Sequence, residues 1–189
     1  MKIIVAVTGA SGSIYAEDLL ERLIQTESQI EEIAVVRSKN AEMVWLHELD
    51  SKWPEHDKIS YHKKNNFMAP FASGSANWDA MIILPASMGS IGRITNGISD
   101  DLITRAADVM LKEHKKLIIC PREMPFNQIH LTNILKLQQA GARIFPTSPS
   151  FYSKPKNIKE LIGTVTSRII DHLGLNQDQA FRWSEKNQD

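Results

Sequence analysis

The residues best suited to chemistry stand at the ends of apolar runs. Arg122 and Glu123 follow Leu117-Ile118-Ile119-Cys120-Pro121. Such a pair suits phosphate chemistry, because a guanidinium holds phosphate oxygens in a fork of donors while a carboxylate moves a proton. Ile3-Ile4-Val5-Ala6-Val7 empties into Thr8-Gly9-Ala10-Ser11-Gly12, where small residues let backbone amides and hydroxyls approach a phosphate at the start of the next helix. Ser38-Lys39 ends a second run, Ile33-Ala34-Val35-Val36, and Ser87-Met88-Gly89-Ser90 ends a third, Ala80-Met81-Ile82-Ile83-Leu84-Pro85. Arg105 and Lys112 lie seven residues apart, two turns along one helical face, so both cations can serve one anion.

Each feature has an ordinary alternative. The glycine-rich turn can simply pack a helix on a sheet, and it lacks the full dinucleotide GxGxxG pattern. Arg122 and Glu123 can form a structural ion pair, while Arg105 and Lys112 can be a solvated face. Tyr152, beside a proline-rich turn, suits packing, and Arg168 on a helix suits water. Ser73-Gly74-Ser75 follows Phe67-Met68-Ala69-Pro70-Phe71, a loop that either covers an apolar or cationic group with its π faces or packs into the core. The coincidence of four polar strand ends speaks for a site.

Several chemistries are excluded. The six histidines are scattered and the single Cys120 lies inside a strand, so no metal-ligand spacing arises, and His130 and His172 read as structural. There is no GxSxG elbow, no P-loop lysine motif and no RNA-binding aromatic signature.

The elements that must position these residues follow from periodicity. The apolar runs read as strands, and helices are expected from Ser38 to Glu48, over 100–114, over 127–140 and over 158–173, with Ser38 as a cap and a short strand around 143–145. Residues 86–92 form a small-residue segment, and 50–72 read as a long excursion without period, including a basic stretch, 58–64, taken as a solvated loop. Apolar strands separated by helices predict a parallel sheet covered on both faces, with ligands at the carboxyl ends of the strands. No internal repeat or heptad run appears.

At 189 residues, 42% hydrophobic and 23% charged, the chain suits one α/β domain over 1–175 with a polar tail, 176–189, anchored by Phe181 and Trp183. Twenty-two basic residues balance twenty-two acidic ones, which favours neither nucleic acid nor an anionic membrane. The lone cysteine, the strand-like start without a leader pattern and the absence of a bilayer-length apolar run predict a cytoplasmic protein.

In order and spacing, Thr8-Gly9-Ala10-Ser11-Gly12, Ser38-Lys39, Glu48, Ala72-Ser73-Gly74-Ser75, Arg105-Ala106-Ala107-Asp108, Leu111-Lys112-Glu113, Pro121-Arg122-Glu123-Met124-Pro125 and Phe151-Tyr152 resemble the UbiX-type flavin prenyltransferases. The resemblance runs to about Trp183, and it implies a three-layer Rossmann-like (flavodoxin-like) sheet. It also implies transfer of a dimethylallyl group from dimethylallyl monophosphate to reduced FMN, alkylating a ring nitrogen and closing a fourth ring, without a metal. The prenylated FMN would go to a UbiD-type decarboxylase, and the enzyme would be a homo-oligomer, a dodecamer in the family's usual form. By the same carry-over Gly9, Ala10, Ser11, Ser38, Ser87, Met88, Gly89, Ser90 and Arg122 contact FMN. Ser73, Arg105, Lys112, Tyr152, Arg168, Phe67 and Trp183 surround the prenyl donor. Ser11, Glu48, Lys112 and Glu123 carry the chemistry, with Glu48 and Glu123 handling protons. Related FMN-dependent peptidyl-cysteine decarboxylases share the fold, but their Pro-Ala-Ser-Ala-Asn-Thr motif is here Pro85-Ala86-Ser87-Met88-Gly89-Ser90. A non-catalytic flavin-binding subunit is the other alternative, and the presence of Lys112 and Glu123 argues against it. Departures from the family pattern include Phe67, where relatives carry an aromatic that is sometimes tryptophan, a stronger π face, and His114-Lys115 in place of paired arginines.

Overall fold

Strand β1 (Lys2–Val7) has five fully buried apolar residues in succession, a pattern only a strand covered on both faces can bury. The structure, a computed structural model, describes residues 1–177. Around β1 run α1 (Ser13–Gln25), β2 (Glu32–Arg37), α2 (Lys39–Glu48), β3 (Ile59–Lys63), β4 (Ala80–Ala86), α3 (Met88–Thr95), α4 (Leu102–Lys112), β5 (Lys116–Pro121), α5 (Gln128–Gln139), β6 (Arg143–Ile144) and α6 (Ile158–Leu173). The strands form one six-stranded sheet in the order β3-β2-β1-β4-β5-β6, with every pairing parallel. This is the expected Rossmann-like, doubly wound arrangement, and its strand order reverses between β1 and β4, where a crevice opens at the carboxyl ends.

Alternate residues of each strand feed two cores. Ile3, Val5, Val35, Ile82 and Ile118 pack beneath α1, α2 and α6. Ile4, Ala6, Val36, Ile83 and Ile119 pack beneath α3, α4 and α5. The first and last helices are joined as well as packed. Asp18 of α1, 4% exposed, accepts from Arg22 Nε at 2.7 Å and from the Thr166 hydroxyl of α6, while Leu19, Leu20 and Leu23 share a core with Val165, Ile169, Ile170 and Leu173.

Three expectations are revised. Residues 58–64 are not a solvated loop, since they contain β3, the edge strand that pairs with β2 from Ile33↔Ile59 to Arg37↔Lys63. The segment after Ala86 is a helix, α3, although two glycines and a serine weaken its propensity. The Ser87 hydroxyl caps it and Ile91 and Ile94 bury one face. Phe71 is also not a covering group. It is fully buried, edge-on to His62 at 5.0 Å and Trp78 at 5.2 Å between ring centroids.

The tail expected from 176 onward, with Trp183, lies outside the described residues except for Asn176 and Gln177. Among the described residues no helix is long and apolar enough to cross a membrane, and no group of histidine, cysteine, aspartate or glutamate side chains has the geometry of a metal site.

Candidate active site

The crevice at the carboxyl ends of β1, β2 and β4 is built by the loops that leave those strands. Gly9 lies so close to the start of α2 that any Cβ there would collide with the Cβ of Asn40, so glycine is required for the two loops to meet. Ser38 caps α2 by accepting from Ala41 N at 3.0 Å. Ser87 caps α3, and its hydroxyl lies 3.1 Å from that of Ser90. Thr8, 2% exposed, fastens the two central loops together. Its hydroxyl donates to Pro85 O at 2.7 Å and accepts from Ser87 N at 2.8 Å. Gly9, Ser38, Ser87, Gly89 and Ser90 thus line one cleft of about 400 Å³.

Lys39 lies at the cleft as its strand-end position predicts, but sequence reasoning missed the rest of the charged wall, Lys64, Arg93 and Asp101. Arg93 Nη1 donates to Asp100 at 2.7 Å and to Asp101 at 2.8 Å. Burial alone would raise the Asp101 carboxyl, but hydrogen bonds from Thr104 N and Arg93 outweigh it and hold the group below its ordinary range. Lys64 follows the edge strand and Arg93 belongs to the helix not foreseen; the readable signal for Lys64 was the alternation Ile59-Ser60-Tyr61-His62.

The remaining site residues fall in distinct places. Glu48 turns back onto the start of α1, where Gly12 N reaches it at 2.9 Å and Ser13 N at 2.8 Å. Burial raises its carboxyl, yet hydrogen bonds from Ser11, Ser13 and Gly12 win and lower it. Glu48 therefore occupies the α1 N-terminus that sequence reasoning assigned to a phosphate, and it is held ionised there. Met88 does not face the cleft with its side chain, which joins the core above β4; only its backbone can touch a ligand. Arg122 and Glu123 are exposed beyond β5 and form no ion pair with each other among the described residues. Arg122 lies near enough to Tyr15 for its charge to oppose the rise that burial imposes on that phenol.

On α4, Arg105 Nε donates to Ala72 O at 3.0 Å and Nη1 to Asp108 at 3.2 Å, while Lys112 bonds the carboxylate of Glu113. Ser73 and Ser75 sit on the adjoining loop with hydroxyls 3.1 Å apart. Tyr152 and Arg168 line a different and larger cavity, about 710 Å³, with Phe145, Thr164 and His172. Phe67 is about half exposed just before the 70–72 turn. One chain does not unite these groups. Asp101 at the start of α4 borders the cleft, and eleven helical residues carry Lys112 about 16 Å further along the axis, toward the amino ends of the strands. Tyr152 and Arg168 stand by α6, on the opposite face of the sheet from α4.

The family model described as "Flavoprotein" matches residues 1–170. The chain is 46% identical to the flavin prenyltransferase UbiX of Methanocaldococcus jannaschii, over 97% of this chain and 98% of that protein. The chain belongs to the UbiX flavin prenyltransferase family. Solved structures agree with that membership. A dodecameric FMN-dependent UbiX-like decarboxylase from Escherichia coli O157:H7 matches with TM-score 0.91 and 36% identity, covering 97% of this chain and 99% of that one. AnUbiX in complex with FMN and dimethylallyl pyrophosphate matches with TM-score 0.89 and 39% identity, covering 96% of each chain. In a doubly wound sheet the cleft at the switch point is where a ligand is expected to bind. The close approach at Gly9, the open space beside Gly89 and the hydroxyls of Ser38, Ser87 and Ser90 suit a ribityl phosphate.

Proposed function

We propose that this protein is a flavin prenyltransferase that moves a dimethylallyl group from dimethylallyl monophosphate to reduced FMN. The single observation that carries the reading is the cleft at the β1/β4 switch point, where Gly9, Ser38, Ser87, Gly89 and Ser90 converge in a chain of this family. Reduced FMN supplies the nucleophilic ring nitrogen. The allylic carbon–oxygen bond breaks and its electron pair leaves with phosphate, while a carbon–nitrogen bond forms and the ring nitrogen gives up its proton. Closing the fourth ring then uses the prenyl C=C π bond, whose one carbon takes a proton while the other bonds the neighbouring ring carbon, which loses its own proton. Without a metal, the leaving phosphate depends on cations and hydroxyls, the role given to Arg105, Lys112, Tyr152, Arg168 and Ser73. Glu123, exposed and adjacent to Arg122, returns a proton to phosphate, and Glu48 receives one through Ser11.

The separation of Lys112 from the cleft, and of Tyr152 from α4, supports assembly of the complete site from more than one copy of the chain. Large apolar side chains left exposed on the single chain, including Met124, Leu131, Leu135, Phe151 and Tyr152, support the same reading. A dodecamer, like that of the Escherichia coli structure, is the proposed assembly. The product is proposed to pass to a UbiD-type decarboxylase in the cytoplasm, a setting consistent with a single buried cysteine that can form no internal disulfide.

The test is anaerobic incubation with reduced FMN and dimethylallyl monophosphate, followed by mass spectrometry of the extracted flavin. The expected result is a flavin heavier by one five-carbon prenyl unit. FMN recovered unchanged from a tightly bound complex would refute the transferase reading. In the same assay Glu123→Gln is expected to retain FMN and lose at least about a hundredfold in rate.

A further inference from the structure

Lys112 is the last residue of α4, and neighbouring residues inside a helix diverge too far to meet side by side. Glu113 is the C-cap, at φ −90° and ψ 6°, and its carboxylate turns back onto the ammonium. The hydrogen bond and the charge of Lys112 hold the Glu113 carboxyl below its ordinary range, which keeps it ionised beside its partner.

The same carboxylate meets the loop that carries Ser73. A Cβ on Gly74 would stand 2.6 Å from Glu113 Cδ and 2.8 Å from its Cγ, and closer still to Oε1. The atoms met are the mobile end of the Glu113 side chain, so a methyl at position 74 and the carboxylate in this placement exclude one another. Two turns earlier on α4, Arg105 grips the carbonyl of Ala72, the residue before Ser73. Helix α4 therefore clamps the 72–75 loop at two points, and the second point is the partner of Lys112.

We propose that Glu113 is a positioning residue of the donor-phosphate site: it aims the Lys112 ammonium and seats the Ser73 loop beside it through the gap at Gly74. The inference rests on the reading that Lys112 and Ser73 receive the phosphate of the prenyl donor. Glu113 itself touches neither donor nor flavin.

A double-mutant cycle separates this role from a general structural one. Equilibrium binding of dimethylallyl monophosphate to the full chain loaded with FMN is measured for the unmodified protein, Gly74→Ala, Glu113→Ala and the double variant, with FMN affinity measured in parallel. The atoms struck by the new methyl belong to the end of a flexible side chain, so Gly74→Ala folds but expels the carboxylate. Each single variant is expected to weaken the donor by about tenfold, the scale of one charge-assisted hydrogen bond, and to leave FMN affinity within about twofold. The double variant is expected to be no weaker than Glu113→Ala, because the three atoms nearest the methyl are then gone, and Glu113→Asp is expected to recover part of the loss. Losses that multiply to about a hundredfold in the double variant, equal loss of FMN, or no loss in Glu113→Ala would each overturn the inference while the transferase reading stands. Failure of the unmodified chain to bind the donor at all would overturn both.

Discussion

Replacing Thr8 by valine tests whether one hydroxyl organises the flavin cleft. The change keeps the branched shape and opens no cavity, so its cost is the loss of two hydrogen bonds. Pro85 O retains a partner, since Thr8 N still reaches it at 3.3 Å, and losing the hydroxyl there costs about 1 kcal/mol. Ser87 N has only the hydroxyl, at 2.8 Å, and an orphaned amide costs about 1–3 kcal/mol. Ser87 is half-buried, so water can reach this amide and the lower end applies, while the added methyl returns about 0.8 kcal/mol. The net expectation is a loss of about 1 kcal/mol, or about 2–4 °C in melting temperature for a domain of this size. Urea unfolding followed by circular dichroism measures the loss, and quenching of flavin fluorescence measures FMN affinity, which should fall because Ser87 both caps α3 and lines the cleft. Thr8→Ser keeps the hydroxyl and should keep FMN affinity. If Thr8→Val unfolds within about 0.5 kcal/mol of the parent and binds FMN equally well, the fastening role assigned to this hydroxyl is wrong.

Two further outcomes are expected. His114, at φ 52°, occupies the left-handed position after α4, where His114 N bonds Leu111 O and Lys115 N bonds Met110 O, so His114→Gly should raise stability by about 0.5–1 kcal/mol; a lower urea midpoint would contradict this. Burial lowers the pKa of His62, with Glu32 partly opposing it, so the unfolded chain binds the extra proton first as pH falls. The stability tied to this residue is complete above about pH 6.5 and declines below it. His62→Gln should flatten the fall in unfolding free energy between about pH 7 and 5, and an unchanged slope would show that His62 is not its source.

Much of the scaffold was readable because buried parallel strands must be apolar throughout. β1, β2, β4 and β5 stand out for that reason, and α6 coincides with its expected span, Ile158–Leu173. β3 escaped notice because an edge strand needs only half its residues buried, and its basic neighbours resemble a loop. α3 escaped because its stability comes from a cap and from tertiary packing rather than from propensity. The hydroxyls of the cleft were legible since strand topology alone carries them to one edge. Lys64 and Arg93 were not, because they depend on the two elements missed. The contact of Gly74 with Glu113 joins positions far apart in the chain, and no local pattern announces it.

The union of α1 with α6 governs how the chain matures during synthesis. Asp18, Leu19, Leu20 and Leu23 emerge early, yet their partners Thr166, Ile169, Ile170 and Leu173 come more than a hundred residues later. At ordinary translation speeds that stripe waits on the order of ten seconds, exposed, before its cover exists. Nascent chains halted short of α6 would therefore carry an apolar helix face and a carboxylate without its threonine, which makes them substrates for holdase chaperones or seeds of aggregation.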